Sequence, residues 1–166
     1  MPRARFGNPE PVASHLPLLT RIFDLSIGDV AELGTGYFST LLFHWLATTF
    51  KRNVYSFESK EYWYKRAKKF ENKYHHIVYC PKWSDAPIER YWGMAFVDHS
   101  PGKQRPNEVI RLANYADYIV IHDTQMQSDT EYQFSTAFPH FKYKYDYTKV
   151  LPWTSVVSNF KDLSNL

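Results

Sequence analysis

The chain has 166 residues, 44% of them hydrophobic and 22% charged, with a net charge of +3. That length suits a single domain over residues 1–166 with a full core, and the composition excludes a disordered chain. Cys80 is the only cysteine, which excludes a disulfide framework or a cysteine metal cluster and suits a reducing compartment. The opening "MPRARFGNPEPV" lacks the apolar core of a signal peptide, and no stretch is long enough to span a bilayer. The sequence therefore predicts a soluble, cytoplasmic protein. The 18% aromatic content reads first as large core side chains.

In chain order, residues 1–24 form a short N-terminal segment. "GDVAEL" (28–33) reads as a buried strand, and "STLLFHWLATTF" (39–50) as a helix carrying Leu41, Leu42, Trp45 and Leu46 at helical spacing. "NVYSFE" (53–58) is a second strand. "KEYWYKRAKKFENK" (60–73) is a second helix, with Trp63, Ala67 and Phe70 on one face and its lysines on a solvated one. "HIVYC" (76–80) and "GMAFVD" (93–98) are strands. "RPNEVIRLANY" (105–115) is a helix with Pro106 in its first turn, "DYIVIHD" (117–123) a fifth strand, and "DTEYQFSTAF" (129–138) a helix. "FKYKYDYTKV" and "WTSVVSNF" close the chain as two strands joined by a short turn, which makes them antiparallel. This alternation predicts an α/β fold: a doubly wound, mainly parallel seven-stranded sheet with an antiparallel C-terminal pair.

Such sheets bind ligands beyond the carboxyl ends of their strands. After the first strand comes "ELGTGYFST", where Gly34 and Gly36 allow a ligand close to the main chain and Ser39 or Thr40 begins a helix whose N–H groups favour an anion. Glu32, at the strand end, offers a carboxylate to an ammonium group. Glu58 ends the second strand, where an acid accepts hydrogen bonds from ribose hydroxyls. The glycine turn is not G-x-G-x-x-G, which disfavours NAD and FAD, and no Gly-Lys-Ser/Thr phosphate loop follows. A ligand with a ribose and an amino-acid end but no pyrophosphate fits these residues, a description that suits S-adenosylmethionine.

Together, "VAELGTGYFST", "YSFES", "VDHSPGKQR" and "IVIHDTQ" resemble the class I S-adenosylmethionine-dependent methyltransferases, whose Rossmann-like seven-stranded sheet has a similar element order. The resemblance covers roughly residues 25–160. Within the class, "FVDHS" and "IHDT" look most like the catechol-type small-molecule O-methyltransferases. The resemblance implies that Gly34 and Gly36 line the methionine part of the cofactor, that Glu32 lies near its amino group and Glu58 on its ribose. It also implies that Asp98 and His99 flank the cofactor, and that Ser84 and Asp85 lie near the adenine, with Trp83 as a stacking partner. His99, His122 and Asp123 are the candidates for taking a proton from an acceptor hydroxyl. His15, His44, His75, His76 and His140 show no ligand spacing and receive no role.

Two departures bear on a metal. Asp98 and Asp123 match the two aspartates of the catechol-type site, and a carboxylate pair is able to hold Mg²⁺. Thr124, however, stands where that family has an asparagine, and Pro101 where it has a lysine, with Lys103 displaced nearby. These count against a metal requirement, so no metal ligand is assigned. The family's long N-terminal helices are also largely missing, which leaves the pocket open or closed by a partner subunit, such as a second copy in a homo-oligomer. Acceptor-pocket candidates are Tyr37, Trp92, Gln125 and Trp153. The expected activity is methyl transfer to a small molecule, at oxygen. The alternatives are a macromolecular acceptor (RNA or protein), a non-catalytic cofactor-binding or partner subunit, and a nicotinamide-binding protein. No nucleophile elbow and no zinc motif occurs.

Overall fold

The computed structural model describes residues 13–166. The stretch read above as lacking a signal core lies outside them. The first described element is a helix that the sequence reading did not anticipate: α1 (Leu16–Leu25), with Pro17 in its first turn and Leu18, Leu19, Ile22 and Phe23 buried. Its apolar residues recur at three- and four-residue spacing, so the signal was present within the stretch read only as a short N-terminal segment.

The remaining elements follow the expected order. They are β1 (Val30–Leu33), α2 (Ser39–Phe50), β2 (Val54–Glu58), α3 (Glu61–Ala67), β3 (His75–Tyr79), β4 (Trp92–Val97), α4 (Arg105–Leu112), β5 (Ala116–His122), α5 (Asp129–Tyr132), β6 (Tyr143–Tyr147) and β7 (Thr154–Ser158). Three helices are shorter than expected, among them the one read over 105–115, which ends at Leu112. The one read over 60–73 gives way to a 3-10 turn at Lys68–Phe70 and ends at Glu71, beyond which the Asn72 side chain accepts the N–H groups of Tyr74 and His75. The one read over 129–138 stops at Gln133, whose φ of +59° breaks the helix, while Asp129 accepts the Ser135 N–H. Two 3-10 turns, Phe134–Thr136 and Phe138–His140, follow it.

The seven strands form one sheet in the order β3-β2-β1-β4-β5-β7-β6. The first five are parallel, and β7 runs antiparallel between β5 and β6. Alternation along the strands sends Ala31, Leu33, Ala95, Val97, Ile119 and Ile121 to one face, where Val109 and Leu112 of α4 cover them. Val30, Val54, Met94, Phe96 and Val120 point to the other, against α1 and Phe43 and Ala47 of α2. Layers on both faces explain why the central strands read as continuous apolar runs. The order in which successive strands join the sheet reverses between the parallel neighbours β1 and β4, so the switch point, and with it the binding crevice of such a sheet, lies at their carboxyl ends.

Candidate active site

A cavity of about 580 Å³ opens at that switch point, within the usual size range for small-molecule sites. Its walls are the turn after β1, Glu58 from β2, Asp98 and His99 from β4, Arg105 from α4, His122 and Asp123 from β5, and His15 from the start of α1. Of the residues expected from the sequence, Gly34, Gly36, Glu58, Asp98, His99, His122 and Asp123 thus converge on one space. Ser84 lines a second groove of about 510 Å³ with Lys82 and Trp83, and Lys60 borders both spaces. Glu32 lines neither.

The two glycines serve different ends. Gly34 has φ +97°, and a Cβ there would sit 2.5 Å from the Cα of His99 and 2.8 Å from the carbonyl oxygen of Asp98. Its requirement comes from the protein's own backbone, where the Asp98–His99 segment following β4 packs against the end of β1. At Gly36 a Cβ would meet only Ser39 Oγ, at 3.7 Å, so open space lies in front of it. Gly36 is the position where a ligand has access to the main chain.

Glu32 is sealed beneath this turn. Its carboxylate accepts hydrogen bonds from Ser56 Oγ at 2.5 Å and Thr40 Oγ1 at 3.0 Å, and Thr40 Oγ1 in turn accepts the Gly36 N–H at 2.9 Å. Complete burial pushes its pKa up to about 7 against the opposing hydroxyl hydrogen bonds. In this arrangement it supports the turn through Thr40 instead of presenting a carboxylate to the cavity. Glu58 does present one. Oε2 accepts the N–H and hydroxyl of Thr35, both at 2.9 Å, and Oε1 accepts the Lys60 N–H at 2.7 Å. Of the roughly four lone-pair directions of a carboxylate, one remains for a ligand hydroxyl.

On the β4–β5 side, one cation organises the acids. Arg105 donates to Asp98 Oδ1 and to Asp123 Oδ2, each at 2.9 Å, and its Nε donates to the His99 carbonyl at 2.7 Å. Its guanidinium also lies 4.8 Å from the Tyr132 ring centre. Asp123 has φ +62°, a left-handed conformation that Asp tolerates better than most residues and that carries its carboxylate toward Arg105. Burial alone would raise the Asp98 carboxyl, but the nearby His122 and Arg105 outweigh it and hold the pKa below its ordinary value. His122 sits with Nδ1 3.3 Å from Asp98 Oδ2 and Nε2 2.9 Å from Ser14 Oγ. His99 is buried, stacked on Trp83 at 4.1 Å between ring centres, with Nε2 3.1 Å from Glu108 Oε2. Burial keeps its pKa low against the pull of Glu108.

Several expectations need revision. Trp83 is not free to stack on an adenine with the face that His99 covers, and its Nε1–H donates to the Ser100 carbonyl. Trp92 is a core residue, fully buried with its Nε1–H on the Ile88 carbonyl, because it starts β4 and so lies at the opposite end of that strand from the cavity. Gln125 is engaged by the Trp153 N–H, while Tyr37 does line the cavity. The Asp98–Asp123 pair does not fit a bridging Mg²⁺, since the Arg105 guanidinium already spans one oxygen of each. Sequence reasoning missed Arg105 as a site residue, because an arginine opening a helix ordinarily reads as solvated. It also missed His15, whose helix was not recognised, and Thr35, whose partner lies on another strand.

No family model matches the chain, and no curated protein matches it by sequence. Solved structures do match by shape. A putative O-methyltransferase from Klebsiella pneumoniae superposes with a TM-score of 0.65 at 14% identity, covering 95% of this chain and 84% of that one. The SAH-bound Podospora anserina methyltransferase PaMTH1 gives 0.63 at 12% identity, over 87% and 76% of the two chains. The N-terminal domain of human METTL16, in complex with SAH, gives 0.61 at 11% identity, over 89% and 70%. The fold is that of the class I S-adenosylmethionine-dependent methyltransferases.

Proposed function

We propose that the chain is an S-adenosylmethionine-dependent methyltransferase acting on a small-molecule acceptor, at oxygen. The observation that carries this reading is the convergence of the open Gly36 turn, Glu58, Asp98, His99, His122 and Asp123 on one cavity at the switch point of this fold. The SAH carried by two of the similar structures agrees with it. When bound, S-adenosylmethionine supplies an activated methyl group, so the protein's task is alignment and electrostatics.

The residues divide that task. Gly36 gives the amino-acid end access to the main chain, and Glu58 offers its remaining lone pair to a ribose hydroxyl. The groove at Ser84 lies beyond Lys60, on the side where an adenine would extend. Asp98 and Asp123 lie opposite, locked by Arg105. His122 and Asp123 are the groups assigned to take the acceptor's proton, while His99, stacked on Trp83 at the cavity wall, is made less basic by burial.

A second reading, a macromolecular acceptor, is favoured by one feature. Tyr37 is exposed at the rim, with the Trp63 ring edge-on at 5.0 Å and the Arg66 guanidinium 4.4 Å from the Tyr37 ring centre. Aromatic faces beside a cation suit stacked bases. Calorimetry with SAH and with NAD⁺ tests the main reading: heat with SAH alone supports it, and heat with NAD⁺ alone or with neither ligand overturns it. RNA binding that weakens steeply with salt would shift the acceptor to the second reading.

A further inference from the structure

We propose that His15, Asp98 and His122 form a binding site for one divalent transition-metal ion, of which zinc is the best fit. The ligand atoms of these three residues lie within 4.8 Å of one another at the wall of the cavity.

The hydrogen bonds decide what His122 presents. Ser14 Oγ donates its proton to the Pro152 carbonyl at 2.7 Å, so across the 2.9 Å contact with His122 the ring Nε2–H is the donor. In the neutral ring Nδ1 is then a bare lone pair. It faces two carboxylate oxygens, Asp98 Oδ2 at 3.3 Å and Asp123 Oδ1 at 3.6 Å. A lone pair held against carboxylates calls for a cation between them. A proton is one answer, but 3.3 Å is long beside the roughly 2.8 Å of a charge-assisted hydrogen bond. The same 3.3 Å matches the edge of a tetrahedron whose metal–ligand bonds are about 2.0 Å.

His15 supplies the independent observation. It is 2% exposed, and neither ring nitrogen has a hydrogen-bond partner among the described residues. Its ring meets that of His122 edge-on at 4.7 Å. A proton on His122 would leave His15 unsatisfied, whereas a metal ion engages both rings.

The surroundings fit as well. A metal-bound histidine ordinarily donates its other N–H to an oxygen that fixes the ring, and the relay from Nε2 through Ser14 to Pro152 does this. Asp98 and Asp123 against the single guanidinium of Arg105 leave one negative charge over. Two imidazoles and one carboxylate suit zinc better than magnesium. The ion would use Asp98 Oδ2 and leave Oδ1 on Arg105, so this site is distinct from the carboxylate-bridging one that Arg105 occupies. The fourth position faces the cavity. With the ion bound, His122 would be a ligand and no longer a proton acceptor, and a Lewis acid would stand beside the acceptor.

The test needs no methyl donor, so its outcome is separate from that of the methyltransferase reading. Tag-free full-length chain is stripped with chelator and titrated with Co²⁺, followed by its visible d–d absorption. One equivalent with the intensity of a four-coordinate site is expected. His15→Gln should weaken binding at least tenfold with an unchanged circular dichroism spectrum, and Ser14→Ala should weaken it by about tenfold through loss of the orienting relay. Nitrogen-15 NMR should show His122 Nδ1 shifting when Zn²⁺ is added. Absence of cobalt absorption, binding indifferent to His15→Gln, or a doubly protonated His122 ring unmoved by Zn²⁺ would each overturn the proposal.

Discussion

The two halves of the cavity bury their acids in opposite ways. On the β1–β2 side Glu32 is surrounded by hydroxyls, from Ser56 and Thr40, with no cation against it among the described residues. On the β4–β5 side Asp98 and Asp123 share the guanidinium of Arg105. Hydroxyls reduce the cost of a buried carboxylate without neutralising it, so Glu32 titrates near neutrality. For Asp98 burial is outweighed by His122 and then by the Arg105 guanidinium, so it remains an acid of lowered pKa. The first half is a backbone scaffold tuned by neutral hydrogen bonds. The second is a charge network whose members depend on one another.

The largest effect should come from the seam between the halves. Gly34→Ala forces a Cβ into the backbone of Asp98 and His99 at a φ of +97° and should cost about 4 kcal/mol in denaturant unfolding. Gly36→Ala, on the same turn, should cost under about 1 kcal/mol while weakening adenosyl-ligand binding. Equal stability losses at the two positions would show that the turn has no ligand-facing side. Next in size is Arg105→Ala, which leaves two acids facing each other without their cation. Because both are partly exposed, the expected loss is about 3 kcal/mol, at the low end for breaking a buried pair.

Glu32 sharpens the contrast through pH. Its folded pKa of about 7 lies above the ordinary 4.5, so the folded state holds the proton more tightly than the unfolded one. Its contribution is therefore fully present below pH 4.5 and is lost as the pH rises toward about 7. His15 and His75 act in the opposite sense: burial lowers them to about 3 and about 4, so their contribution is present above 6.5 and is lost on acidification. Comparing wild type with Glu32→Gln isolates the acid. Between pH 5 and pH 8 the wild type should lose about 2.5 kcal/mol relative to the variant. A constant difference across that range would mean that Glu32 stays ionised and that its hydroxyls suffice.

The smallest effect concerns Glu58. Glu58→Ala should weaken SAH binding by about tenfold, since a hydrogen bond to a charged group is lost. It should lower stability by only about 1 kcal/mol, because the Thr35 and Lys60 N–H groups it releases lie at the cavity wall, where water is able to replace it. A stability loss with unchanged affinity would make it a purely structural acid.

Much of this was readable from local pattern. The strands announced themselves as apolar runs, and Glu58, Asp98, His99, His122 and Asp123 line one cavity because they stand where strands end. The exceptions share a cause. Thr35 and Arg105 matter through partners on other elements, and Trp92 was misread although the strand read over 93–98 already put it at the amino end, away from the crevice. The division of labour between Gly34 and Gly36 was equally hidden, since it depends on the backbone of Asp98 and His99 packing against one of them and not the other.

By itself the sequence determined the alternation of strands and helices, the parallel sheet, and which residues stand at the ends of its strands. Hydrophobic periodicity and turn residues act over a few neighbours and are written in order along the chain. Only the tertiary structure decided which charges meet: that one arginine spans two aspartates, that a glutamate is sealed beneath a glycine turn, and that a histidine opening α1 comes to rest against one ending β5. Those pairings are made by packing elements distant in the chain, where Coulomb and desolvation energies depend on separations of a few ångströms that no linear pattern encodes.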